Sequence, residues 1–248
     1  MRRNHNNLMR FQRQMLLPEV GIEGQKRLKA AKVLLVGAGG LGSAAAYYLA
    51  AAGIGTLGIV DGDRVEMTNL NRQILHDPLQ IGKLKVSSAR ATLATFNHSL
   101  NIATYPTRIE ALQELTQIMS EYDLAIDCTD NFATRFLIND ACLQAQKPWI
   151  YGAISGFEGQ AMTIVPGRGP CYRCLYVSPP SSSQTLTPVI GVSPGIIGII
   201  QAAEALKYIL RKGRLLTGRL LYMDLLEMTW SEFTVQRNMN CQSCGKPG

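Results

Sequence analysis

The sequence predicts an α/β fold: a mainly parallel sheet, an antiparallel C-terminal extension and a four-cysteine site. Three observations predict it. Short apolar strands alternate with helical stretches through most of the chain. A glycine-rich turn joins the first strand to the helix that follows it. Late in the sequence, strands succeed one another without intervening helices, and two CxxC pairs lie in that region.

Taken in order, residues 1–30 or so read as a helical arm on the surface, carrying Arg10 and Arg13 one turn apart. Lys32–Gly37 is a short buried strand, and an alanine-rich helix runs on to about Ala52. Thr56–Asp61 is the second strand, which completes a βαβ unit within ~30 residues and makes the sheet Rossmann-like. Lys83–Phe96 predicts a helix, Asn101–Thr107 a strand and Ala111–Glu121 a helix. Leu124–Asp127 is a buried strand, followed by a helix over Ala133–Gln146 and a strand over Pro148–Ala153. The nucleotide-binding core thus occupies about 31–155. From about 156 to 248 the pattern is antiparallel, with strands at Gly159–Val165, Leu220–Thr229 and Glu232–Arg237 and one strong helix at Ile196–Arg211. Val177–Pro188 is a Ser/Pro-rich loop. A single α/β domain over 1–248 accounts for all of this.

Composition excludes several classes. With 17% charged and 46% hydrophobic residues, the 248-residue chain is not disordered. The apolar run Leu41–Ile54 is alanine-rich and too short for a membrane span, and Leu186–Ile200 is interrupted by proline and glycine. Met1–Arg13 is basic and polar, without the apolar centre of a signal peptide, so a cytoplasmic protein is expected. The net charge of +7 fits an anionic nucleotide, an acidic partner or scattered surface charge. No basic run with interleaved aromatics argues for nucleic acid.

Four groups of residues carry chemistry. In Gly37-Ala38-Gly39-Gly40-Leu41-Gly42, glycines let the backbone approach phosphates, and the helix N-terminus offers free N–H groups to an anion. Asp61 ends the second strand, where a carboxylate accepts from ribose hydroxyls. These features alone suit NAD, FAD or ATP equally. The next segment, Asp61–Glu66, Asn69-Leu70-Asn71-Arg72-Gln73 and Lys83/Lys85, is rich in cations and suits a triphosphate. Two unit charges ~4 Å apart interact by ~4 kcal/mol at an effective dielectric near 20. Arg72 and Lys85 are therefore candidates for offsetting repulsion between ATP and an incoming carboxylate. Asp130, in Cys128-Thr129-Asp130-Asn131, follows a parallel strand. It suits either Mg²⁺ or the N-cap of the next helix. Arg135 can face phosphate or pair with a carboxylate. Cys171-x-x-Cys174 and Cys241-x-x-Cys244 fit a closed, tetrahedral structural zinc site, with redox pairs as the alternative. Cys128 and Cys142 read as buried small hydrophobes. His5, His76 and His98 form no metal spacing.

Together, Arg10–Gln14, Gly37–Gly42, Asp61–Asp63, Asn69–Gln73, Lys85, Cys128–Asn131, Cys171–Cys174 and Cys241/Cys244 resemble the ThiF/MoeB/HesA family, relatives of the ubiquitin-activating enzymes. The likeness spans nearly the whole chain. It implies ATP-dependent adenylation of the C-terminal glycine of a small ubiquitin-like sulfur carrier ending in Gly-Gly, with release of pyrophosphate. Thiamine- or molybdopterin-type sulfur transfer would follow, with a cysteine desulfurase or rhodanese as donor. By the same resemblance Asp61 holds the ribose, Arg72 and Lys85 bind phosphates and Asp130 binds Mg²⁺. Gly37, Gly39, Gly40, Gly42, Asp63, Asn69, Gln73 and Asn131 complete the nucleotide site, and Cys171, Cys174, Cys241 and Cys244 hold Zn²⁺. Arg13 reaches the triphosphate of the neighbouring subunit, so a homodimer is implied. The loop Val177–Pro188 departs from ThiF-like members in lacking a cysteine, with Gln184 about where one is expected. The expectation is an enzyme that stops at the adenylate and leaves sulfur transfer to an external persulfide. Competing readings are a nicotinamide-dependent oxidoreductase, a non-catalytic zinc-stapled scaffold, and adenylation of another peptide, a small carboxylate or a tRNA base.

Overall fold

A computed structural model describes residues 9–178 and 188–245. The arm is two short helices, α1 (Gln12–Met15) and α2 (Gly21–Ala30), anchored by the buried ring of Phe11. Next come β1 (Lys32–Val36), α3 (Gly40–Ala52), β2 (Thr56–Val60), α4 (Lys85–Phe96) and β3 (Asn101–Tyr105). The chain continues through α5 (Leu112–Ser120), β4 (Leu124–Asp127), α6 (Phe132–Gln144), β5 (Trp149–Ser155) and β6 (Glu158–Ile164). It closes with α7 (Tyr172–Leu175), α8 (Val192–Leu210), β7 (Arg219–Asp224) and β8 (Thr229–Thr234).

The strands form one sheet in the order β3-β2-β1-β4-β5-β6-β7-β8. Pairing is parallel from β3 to β5 and antiparallel from β5 to β8. Strand alternation divides the core. Val33, Leu35, Leu57, Ile59 and Ile126 pack under α3 and α8, whereas Leu34, Val36, Ala125, Trp149 and Tyr151 pack under α5 and α6.

The register positions the site. Val36 pairs with both Val60 and Asp127, so β1, β2 and β4 end at one level. Strands β4 and β5 pair only at Ala125↔Trp149 and Ile126↔Ile150, and beyond that they diverge. Gln201, from α8, spans the divergence, its Nε2 donating to the carbonyls of Asp127 (2.6 Å) and Ile150 (3.1 Å). Strand order reverses between β1 and β4, and open α/β sheets bind ligands at such a reversal, beyond the carboxyl ends of the strands.

Several boundaries differ from the sequence expectation, three of them for reasons visible in the structure. Helix α4 starts at Lys85 because Leu84 is extended and bridges to Arg64. Helix α8 starts at Val192, ahead of Ile196. Pro194 is accommodated in its first turn, where a backbone N–H has no helical partner. The expected strands Leu220–Thr229 and Glu232–Arg237 are instead a hairpin, β7–β8. Asp224 turns the chain by accepting from Leu226 N (2.9 Å) and Glu227 N (3.2 Å), and Met228 takes a left-handed φ of 51°.

Candidate active site

The ends of β1, β2, β4 and β5 open into a cleft of about 1240 Å³. Its first half is polar. Gly37 leaves β1 at φ 108° with its N–H on Val60 O (2.8 Å). A Cβ at Gly37 would sit 2.5 Å from the carbonyl oxygen of Cys128, and one at Gly42 would sit 2.3 Å from that of Gly37. Only glycine permits this fold of the loop. Gly37, Gly39 and Gly40 line the cleft, while Gly42 packs behind it. No side chain caps α3, so its first N–H groups remain free for an anion.

Asp61 braces this loop, accepting from Ala38 N and Asp63 N, each at 2.8 Å. A carboxylate has capacity beyond two bonds, which leaves room for ribose hydroxyls. Asp63 takes Lys85 Nζ at 3.1 Å and Arg108 Nη2 at 2.8 Å. Partial burial opposes ionisation of Asp63, but hydrogen bonds from Arg108 and Lys85 outweigh it and hold the carboxyl below its ordinary range. Arg72 donates to Thr68 O (2.9 Å) and Asn71 Oδ1 (3.0 Å) and lines the cleft. Gln73 is buried in the wall, and its Oε1 has no protein partner among the described residues. An acceptor left unpaired there suits a donor from a nucleotide. Asn69 does not line the cleft. Its carbonyl accepts from Arg72 N and Gln73 N, so it shapes the turn that presents them.

On the opposite wall, the N-cap of α6 is Asn131, which accepts from Thr134 N at 2.9 Å. Asp130 is therefore not the cap, and its exposed carboxylate lines the cleft. The turn that presents it is held from below. Thr129 donates to Asp127 through N (2.9 Å) and Oγ1 (2.6 Å), and Arg135 Nη2 donates to Thr129 O (2.8 Å). Arg135 also pairs with fully buried Asp127 at 3.3 Å. Of its two expected roles, pairing with a carboxylate is what the structure shows.

Sequence reasoning missed two residues here. Arg108 follows β3 and reaches Asp63 only because β3 pairs beside β2. His76 is buried, with Nε2 2.9 Å from Ala38 O and Nδ1 2.7 Å from Ser88 Oγ. Burial lowers its pKa, and its Nε2 donates to the glycine loop because Ala38 O can only accept. Neither residue carries a local motif.

The second half of the cleft is different. Phe132, Tyr151, Ala153, Gln160, Tyr176 and Val189 line it. Among the described residues its only cation is Arg135, already committed to Asp127 and Thr129, and Glu158 adds one carboxylate.

The four cysteines of the two CxxC pairs converge away from the cleft, their Sγ atoms all within 4.8 Å of one another. Three of the separations are 4.0, 3.6 and 3.4 Å. A tetrahedral Zn²⁺ with Zn–S bonds near 2.3 Å needs about 3.8 Å between sulfurs, so the donor set fits zinc. Burial pushes the Cys171 thiol up, and a cation is what makes such a buried thiolate tolerable. Helix α6 mounts the site. Asn139 Oδ1 accepts from Tyr172 N (2.9 Å), while Asp140 pairs with Arg173 (2.6 Å) and accepts from Ser243 Oγ (2.7 Å). Cys128 and Cys142 are buried as expected, and burial raises both thiols.

The family model described as "ThiF family" matches residues 11–243. The chain belongs to the ThiF family. A relative from Thermus thermophilus, named sulfur carrier protein adenylyltransferase, is 44% identical over 99% of this chain and 93% of its own length. The SAMP-activating enzyme E1 of Haloferax volcanii is 42% identical over 97% of this chain and 90% of its own. A third ThiF relative, the adenylyltransferase and sulfurtransferase MOCS3 of Culex quinquefasciatus, is 42% identical over 97% of this chain. The chain spans only 56% of that longer protein. In fold, the chain is similar to E. coli MccB crystallised with MccA-N7isoAsn, with TM-score 0.83 at 24% identity over 90% of this chain and 69% of that one.

Proposed function

We propose that this ThiF-family chain uses ATP to adenylate the C-terminal carboxylate of a ubiquitin-like sulfur carrier protein. The observation that carries it is the divided cleft: a cation- and glycine-lined half suited to a triphosphate continues into an aromatic half, whose Arg135 is paired with Asp127, suited to a polypeptide tail. The name of the Thermus relative points to the same substrate class and reaction, and that of the Culex relative to the same reaction.

The carrier's carboxylate attacks the α-phosphorus and pyrophosphate leaves, so the protein supplies position and charge rather than a nucleophile. The glycine loop and Arg72 receive phosphate oxygens, and Asp61 receives the ribose. Lys85 is 8% exposed and pointed by Asp63, which places a cation near the developing charge. Asp130 is an oxygen donor of the kind Mg²⁺ takes, and the ion would neutralise triphosphate charge when bound. The zinc fastens the C-terminal residues to the Cys171–Cys174 turn and does not enter the chemistry. A nicotinamide reaction would leave Arg72 and Lys85 without a role.

Arg13 is exposed and absent from the cleft of its own chain. Its neighbour Gln14 donates to Ala52 O (2.8 Å), at the far end of 13-residue α3. Such a helix is about 20 Å long and begins at the cleft, so Arg13 serves a second copy or none. The apolar groove beside it, lined by Tyr48, Ala51, Ile199 and Leu206, suits a homodimer contact. Sulfur delivery falls to an external persulfide donor, since Val177–Pro188 has no cysteine. Residues 179–187, with Gln184, lie outside the described residues.

ATP–pyrophosphate exchange tests the proposal against a panel of ThiS- and MoaD-like carriers. Exchange should require the carrier and its terminal Gly-Gly. Asp130→Ala should lower it about 100-fold or more while circular dichroism stays unchanged. Carrier-independent exchange, or a nicotinamide absorbance change without pyrophosphate, would overturn the reading.

A further inference from the structure

Gln160 lies in the middle of β6, opposite Ala153 of β5, on the sheet face that forms the second half of the cleft. Two tyrosine hydroxyls converge on its side-chain oxygen. Tyr151 Oη is 3.2 Å from Gln160 Oε1 and Tyr176 Oη is 3.0 Å from it. Each hydroxyl has one proton to place, and Gln160 Oε1 lies within reach of both, with the two hydroxyls also beside each other. Burial raises the pKa of Tyr151, so its hydroxyl keeps that proton. With Oε1 accepting from both rings, the amide plane is fixed and Nε2 is the end that remains. Nε2 has no acceptor among the described residues, and Gln160 is only partly buried.

The surroundings define what Nε2 can meet. Phosphate would need a free cation, and the nearest, Arg135, is spent on Asp127 and Thr129. The walls are Phe132, Tyr151 and Tyr176, with Ala153 beneath. A neutral donor held rigidly among aromatic walls matches an amide carbonyl. Any carboxylate bound for the nucleotide half from this side passes it with its polypeptide behind it.

We propose that Gln160, oriented by Tyr151 and Tyr176, is a specificity-determining residue whose Nε2 donates to a main-chain carbonyl of the carrier's C-terminal segment. This rests on carrier adenylation as the function. The pair of tyrosines is a positioning device: it stops the amide from turning its oxygen towards the tail.

The test is ATP–pyrophosphate exchange with a MoaD-type carrier, titrating carrier and ATP separately. Gln160→Met keeps the volume of the strand position and removes the donor. Its carrier KM should rise about tenfold while ATP KM stays within about twofold. Gln160→Glu puts a negative charge beside the incoming carboxylate and should raise carrier KM about 100-fold. Tyr176→Phe leaves the amide held by Tyr151 alone and should raise it about threefold. Unchanged carrier KM in both Gln160 variants overturns the inference, and so does an equal rise in both KM values. Absence of carrier-dependent exchange in the wild-type protein would instead sink carrier adenylation, and this inference with it.

Discussion

At His76 the hydrogen bond to Ala38 O requires a proton on Nε2, since a carbonyl can only accept. Burial lowers the folded pKa from its ordinary value near 6.5, and Lys85 adds to the fall, while Ala38, Asp61 and Asp77 pull the other way. A base whose folded pKa is depressed stabilises the fold above its unfolded pKa. That contribution declines as pH falls from about 6.5 through the folded value. Thermal unfolding of wild type should therefore weaken across that window, and His76→Gln should flatten the dependence. Because the ring tethers the glycine loop, His76→Leu should raise ATP KM about five- to tenfold and leave carrier KM unchanged. An unchanged ATP KM would reduce His76 to a packing residue. Residues such as His76 and Gln160 were illegible in sequence for one physical reason. Each acquires its role from a partner brought by the sheet: Ala38 across the β1 turn, Tyr151 and Tyr176 beside β6. Gly37–Gly42, Asp61, Arg72 and Lys85 were legible because their order along the chain already encodes a turn, a strand end and a cationic segment.

Helix α6 joins two functions along its length. Its N-terminal turn follows Asp130 and carries Arg135, and its later turns carry Asn139 and Asp140, which hold the cysteine turn. Between the two lies an aromatic cluster: Tyr172 packs on Phe136, Trp149, Tyr151 and Tyr176. Cys241→Ser should lower Tm by roughly 10 °C and expose the C-terminal residues to proteolysis. ATP KM should change little, because no zinc ligand lines the cleft. Loss of exchange with Tm unchanged would give the metal a role in the chemistry. At this scale the sequence placed the existence and order of the strands correctly. It missed the β7–β8 boundary because Asp224 makes the turn with its side chain, in a run whose composition reads as continuous strand. It also offered Asp130 as an N-cap, whereas the adjacent Asn131 takes that position and frees the carboxylate.

For the whole molecule, Arg13 is separated from its own cleft, and in the proposed reaction that separation would make catalysis a property of two chains. Cyclic assemblies are closed, so each of two subunits would lend an arginine and borrow one. Arg13→Ala and Arg72→Ala should each abolish exchange. Mixed and re-equilibrated, the two variants should recover roughly a quarter of wild-type activity, since half of the dimers carry one intact site. No recovery in mixed dimers confirmed by mass would confine Arg13 to its own surface. Among the described residues no helix is long and apolar enough to cross a membrane.

The two tryptophans stand at opposite extremes of exposure in the same sheet. Trp149 on β5 is 0% exposed inside the aromatic cluster beneath the cysteine turn, and Trp230 on the edge strand β8 is 48% exposed. Their emission is therefore separable by colour and by quencher. The blue-shifted component comes from the ring beneath the cysteine turn, and the quenchable one from the open edge. Light alone distinguishes an event at the centre of the molecule from one at its rim.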